Sequence, residues 1–128
     1  MQFEANETDA MLMQAAADGD CARLQKLIDD GACVYYREPG TGRTALHAAA
    51  EHGRREAIEL LLENHHPWNA VDDAGVSAAE YAQRAGFKDL YDFMVREGIR
   101  TELLIRLLVC GFIAFFLMLF SEHFFPSS

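Results

Sequence analysis

The stretch Gly42-Arg43-Thr44-Ala45-Leu46-His47-Ala48-Ala49-Ala50 decides how this chain folds. Thr44 carries a hydroxyl that can cap a helix N-terminus, and the alanines and leucine after it favour helix. A helix walled by alanines is thin, so neighbouring helices can approach it closely. Gly53 follows, where a sharp turn needs the left-handed conformation that glycine adopts freely. Leu61 and Leu62 then lie three and four residues after Ile58, the apolar stripe of a second helix. The unit is a capped short helix, a glycine turn and an amphipathic helix.

The unit recurs. Gly53 has a counterpart downstream at Gly86 and another upstream at Gly19, and the two steps differ in length by a single position. Thr44-Ala45-Leu46-His47 aligns with Ser77-Ala78-Ala79-Glu80, and Leu27-Ile28-Asp29-Asp30-Gly31 aligns with Leu61-Leu62-Glu63-Asn64-His65. The second-helix stripe reappears as Leu24, Leu27 and Ile28, then as Leu90, Phe93 and Met94. The difference between the two steps falls in Arg37-Glu38-Pro39-Gly40-Thr41-Gly42, a turn where an insertion costs little. Ser77 with Glu80 three residues later has the spacing of a capping box. A period of roughly 33 residues and the Thr-Ala-Leu-His block resemble the ankyrin repeat. The resemblance implies an all-α array of about three helix-turn-helix repeats, with Thr44, Leu46, His47, Gly53, Ser77 and Gly86 as its structural signature. It also implies that His47 bonds neighbouring backbone rather than doing chemistry.

Charge narrows the partner. The chain holds 20 acidic and 11 basic residues, a net charge of −9. Glu122 is the only formal charge after Arg106, so residues 1–106 carry −8. A nucleic-acid partner would need a basic face, and the acidic excess argues against one; that excess favours solubility first and a basic protein partner second. Cys21, Cys33 and Cys110 form no C-x-x-C pair and read as reduced cytosolic thiols. The histidine pair His65-His66 has no cysteine or carboxylate at zinc-ligand spacing, so no metal site is expected. Gly40-Thr41-Gly42 is the only G-x-G; it lacks a preceding strand and a third glycine, so no nucleotide cofactor is expected either. Trp68, Tyr35 and Tyr36 are expected to pack between repeats. No nucleophile–base arrangement is visible, and the chain as it stands is expected not to be an enzyme.

A narrower resemblance rests on Trp68-Asn69-Ala70-Val71-Asp72-Asp73-Ala74-Gly75 and Arg96-Glu97-Gly98-Ile99-Arg100-Thr101-Glu102-Leu103-Leu104, taken with Leu46-His47-Ala48-Ala49-Ala50. Over residues 9–106 the chain is similar to the N-terminal ankyrin region of fungal type IV protein arginine N-methyltransferases. Those enzymes use S-adenosylmethionine to methylate the δ nitrogen of arginine, in a Rossmann-like domain that follows this region. After about Leu108 the chain departs from them, and the residues up to Ser128 leave no room for such a domain. The resemblance therefore carries over no catalytic residue and no cofactor. The alternative reading is a truncated or misannotated fragment of such a methyltransferase.

The departure is itself a distinct segment. It runs from Leu103 to Phe120, interrupted only by Arg106, with apolar side chains all round the helix. At about 1.5 Å per residue it would span about 27 Å, slightly short of a bilayer core of about 30 Å. Arg96, Arg100 and Arg106 precede it and no Lys or Arg follows, which leaves the repeats in the cytoplasm of a tail anchor in an intracellular membrane. Two other readings stand beside it: a final core helix covering the last repeat, and apolar residues from translated intron or a shifted frame. The expected organisation is a disordered acidic N-terminus at 1–8 with no signal peptide, a monomeric repeat domain at 9–100, the hydrophobic helix at 103–120 and a short end at 121–128.

The expected function is protein–protein interaction through the concave face. Candidate contact residues are Asp18, Glu51, His52 and Arg84 on the helices and Arg37, Glu38, Arg43, Asp72 and Asp73 in the loops. For each of them singly, the bland reading is a solvated surface charge.

Overall fold

The computed structural model describes residues 7–124, with side chains described up to residue 120. Residues 1–6 and 125–128 lie outside the described residues. Most of the segment expected to be disordered, 1–8, is among them; Glu7 and Thr8 are helical.

Helix α1 runs Glu7–Asp18, opening on Glu7 and Asp9, carboxylates that suit the positive end of a helix dipole. It buries Leu12, Ala15 and Ala16. Gly19 ends it at φ +73°, and Asp20 caps α2 (Cys21–Asp29) by accepting a hydrogen bond from the Arg23 amide at 3.1 Å. Helix α3 (Ala45–Glu51) buries every residue from Ala45 to Ala50. Helix α4 (Arg55–Glu63) buries Ala57, Ile58 and Leu61. Before α5 (Ala78–Arg84), the Ser77 hydroxyl accepts from the Glu80 amide and the Glu80 carboxylate accepts from the Ser77 amide, both at 3.3 Å. This is the capping box expected from the spacing.

The first helices form one row, α1 on α3 and α3 on α5, and α2 lies on α4. Alanines fill the row: Ala15, Ala16, Ala45, Ala49, Ala50, Ala78 and Ala82 are all buried in one core with Leu24, Ile58 and Leu61. Two loops, residues 34–43 and 67–76, project between repeats as fingers. They are tied together by the Asp73 amide donating to the Thr41 carbonyl at 3.0 Å and by an Arg37–Asp73 ion pair at 3.3 Å. The second finger closes on a single antiparallel bridge between Val71 and Ser77.

The turns interlock as well. Gly53 sits at φ +69°, and a Cβ there would lie 2.8 Å from the Phe87 ring, the first residue after the next turn glycine. One repeat earlier, Arg54 crosses Gly19 and its Nε donates to the Ala17 carbonyl at 3.0 Å. The residue after each of these turn glycines thus covers the turn before it.

Helix α6 runs Lys88–Phe124 without interruption. The expectation was a separate tail helix beginning at 103. No proline lies between Pro67 and Pro126, and a lone glycine costs a helix only about 1 kcal/mol, so Gly98 and Gly111 do not break it. Compact packing divides after Val95. In the first unit Leu90 and Met94 are buried and Phe93 packs on the core, as the stripe requires. In the second, Arg106 pairs with Glu102 at 3.0 Å, and every described side chain from Ile99 to Phe120 is exposed.

Candidate protein-binding groove

Between the first finger and the first-helix row lies a groove of about 230 Å³. Ala10, Met13 and Ala17 of α1 and Ala48 of α3 form its apolar floor; Gln14 of α1, Tyr36, Glu38 and Arg43 of the finger, Glu51 of α3 and its C-cap His52 form its polar walls. Of the residues expected at a partner surface, it brings together Glu38, Arg43, Glu51 and His52. Asp18, Arg37, Asp73 and Arg84 are exposed but do not line it.

Asp72 stands apart from these. Its Oδ1 accepts from the Ala74 and Val76 amides at 3.0 and 2.9 Å, and its Oδ2 accepts from the Tyr81 hydroxyl at 2.6 Å. The Tyr81 hydroxyl, with the finger amides, holds the Asp72 carboxyl below its ordinary value, and the same bond pushes the Tyr81 phenol up. The Tyr81 ring in turn lies under the Arg43 guanidinium, 5.2 Å away, and Arg43 is paired with Glu51. A continuous polar chain thus runs from the second finger through α5 to the groove wall.

His47 anchors the same corner. Its Nε2 lies 3.0 Å from the Val76 carbonyl, which can only accept, so the ring hydrogen sits on Nε2. The bare Nδ1 then accepts from the Thr44 amide at 3.2 Å, with the Thr44 hydroxyl at 2.9 Å. Burial pushes the imidazole below its ordinary value, so it is neutral. His47 therefore binds backbone on both sides, as the sequence implied. His66 is also buried and held low by burial; its Nδ1 faces the Pro67 carbonyl at 3.0 Å and its Nε2 has no partner among the described residues.

Sequence reasoning passed over Gln14, Met13 and Tyr36 as groove residues. A signal existed for two of them: Ala10, Met13, Gln14 and Ala17 share one face of α1 by their spacing of three and four. Tyr36 was expected between repeats. Its neighbour Tyr35 is 57% exposed and donates its hydroxyl to the His65 carbonyl at 3.1 Å. Among the described residues there is no group of three or more His, Cys, Asp or Glu side chains placed to hold a metal ion.

A family model for ankyrin repeats matches residues 12–104 in three copies. The chain belongs to the ankyrin-repeat family. Ankyrin repeats are protein-interaction modules. Protein arginine N-methyltransferase 2 of Cryptococcus neoformans var. neoformans serotype D (strain B-3501A) is 34% identical over 91 residues, which cover 71% of this chain and 25% of that protein. Human ankyrin repeat domain-containing protein 63 is 37% identical over 80 residues, 62% of this chain and 21% of that protein. Protein arginine N-methyltransferase 2 of Emericella nidulans is 28% identical over an alignment of 140 residues, 83% of this chain and 32% of that protein. The chain thus spans a third or less of these relatives' length, and the similarity to the two methyltransferases falls on the ankyrin region.

Proposed function

We propose that this ankyrin chain is a non-catalytic binding module that receives a segment of a protein partner in the α1–α3 groove. The observation that supports the reading is the wall of polar groups, exposed Glu51 and His52 with half-buried Glu38 and Tyr36, above an alanine and methionine floor. Such a floor gives a partner contact area, and the wall gives it orientation. Asp18, Arg37, Asp73 and Arg84 extend the contact surface around it. Ala10, exposed on α1, is the place to block the groove without touching the core. Proteins captured by the full chain should be lost from an Ala10→Trp variant that keeps its circular dichroism. Unchanged capture would move the binding site elsewhere.

The reading includes a membrane anchor at residues 103–120, with the repeats on the cytoplasmic side and the chain monomeric. Support comes from α6, whose most apolar 18-residue window has a mean hydropathy of 2.7 and is 0% buried. An uncovered surface of that kind is stable in lipid. The chain should pellet with membranes and resist carbonate at high pH. Replacing Phe115 and Phe116 by Arg should release it, since each mid-bilayer arginine costs about 2.5–3.5 kcal/mol on the insertion scale. Intact monomer recovered from detergent-free buffer would overturn the anchor and leave the groove reading standing.

A further inference from the structure

The groove's hydrogen-bonding capacity is lopsided. Gln14 turns its amide nitrogen to the Asp18 carboxylate at 3.0 Å. Arg43 gives its Nη2 to Glu51 and lays its guanidinium over Tyr81. His52 Nδ1 lies 2.9 Å from the Ala48 carbonyl, so that nitrogen carries the hydrogen, and in the neutral ring Nε2 is left as an acceptor. Glu38 receives a hydroxyl from Thr41 at 2.5 Å and has no cationic partner among the described residues. The walls engage the Gln14 amide nitrogen and Arg43 Nη2 as donors within the chain, and Arg43 Nε is buried with no partner among the described residues. What they offer a visitor is the Glu38 carboxylate, His52 Nε2, the Gln14 amide oxygen and the Tyr36 hydroxyl, three acceptors and one group of either kind.

The charge balance runs the same way. The arginines nearest the groove are matched by carboxylates, Arg37 by Asp73 and Arg43 by Glu51, while Glu38, Asp18 and the more distant Arg84 have no ion pair among the described residues. Residues 1–106 carry −8 of the chain's −9, so the wider field also draws cations. At about 230 Å³ the groove falls below the roughly 300–1,000 Å³ typical of small-molecule pockets, which suits one inserted side chain of a larger partner.

We infer that the groove takes an arginine side chain from an exposed segment of a protein partner, with Glu38 as the receiving carboxylate. A guanidinium brings five N–H donors and no acceptor, the complement of these walls, and its aliphatic stem can lie along Met13, Ala17 and Ala48. Lysine would satisfy Glu38 but fewer of the remaining acceptors. The inference rests on the groove being the binding surface proposed above.

The test pans a random-sequence peptide library on the full chain held in detergent micelles, followed by synthetic versions of the selected peptides. Selected sequences should share an arginine whose change to Gln or Lys weakens binding about tenfold or more. Glu38→Gln should cost a similar factor, and Glu38→Arg should turn the selection toward Asp- and Glu-bearing peptides while the thermal midpoint stays in place. Selected peptides without arginine, no selected peptides at all, or indifference to Glu38→Gln would overturn the inference. Ala10→Trp separates it from the reading beneath it. Non-basic peptides lost on Ala10→Trp would keep the groove and reject the arginine; peptides still bound by Ala10→Trp would reject the groove itself.

Discussion

Two adjacent histidines show how one repeat position can differ from its equivalent. His65 aligns with Gly31 and, like it, sits in the left-handed region, at φ +68° against +98°. A side chain there costs about 1–2 kcal/mol, partly offset by the entropy a glycine loses on folding. His65→Gly should therefore raise stability by about 0.5–1 kcal/mol, read from the urea midpoint at unchanged slope. His66 follows, in the register of the buried Ala32. Its neutral ring is favoured by burial, so the folded chain binds a proton at lower pH than the unfolded chain, whose ordinary value is 6.5. His47 behaves in the same way. Their contribution is complete above about pH 6.5 and falls as pH drops below it toward the folded values. Asp72 works on a lower window: its folded value is depressed, so its contribution persists to 3.8 and is lost only below that. Unfolding by urea should accordingly come earlier at pH 5 than at pH 7, and His66→Ala should flatten that difference. An equal pH slope in the variant would assign the effect to other groups.

Elements were legible where a backbone requirement leaves a residue signature. The turn glycines, the Ser77–Glu80 box and the second-helix stripes all follow from local rules, and each appears at its expected place. The groove was half legible. Its charged residues stood out, but Asp72 looked like one more loop carboxylate. Its inward role depends on Tyr81, in the next helix, and on amides of a finger whose curl no periodicity announces. The continuity of α6 was hidden for another reason: Gly98 weakens a helix without deciding whether it ends. At this scale Gly53→Ala is the informative variant. The left-handed φ alone costs about 1–2 kcal/mol, and the added methyl meets the Phe87 ring. Gly53→Ala with Phe87→Ala should remove the clash and keep the strain. Two single variants that simply add in denaturant unfolding would disprove that contact.

On the scale of the whole molecule, stability comes from repeats leaning on neighbours. Leu61 is fully buried at the middle of the stack, so Leu61→Ala should cost about 2–5 kcal/mol, and Leu61→Asp should abolish the repeats' cooperative thermal transition. A retained transition in Leu61→Asp would contradict the packing. The interlocking turns give the stack a direction. The Ala17 carbonyl at the end of α1 waits for Arg54, and the turn at Gly53 waits for Phe87. A ribosome delivers those partners late, a whole repeat after the turn each one covers. While the chain is being made, the first helical pair emerges with its turn uncovered and reaches its final form only when the next turn has cleared the exit tunnel. Each of these two repeats is finished by its successor, so synthesis arrested before Arg54 should yield a nascent chain that proteases cut at the first turn.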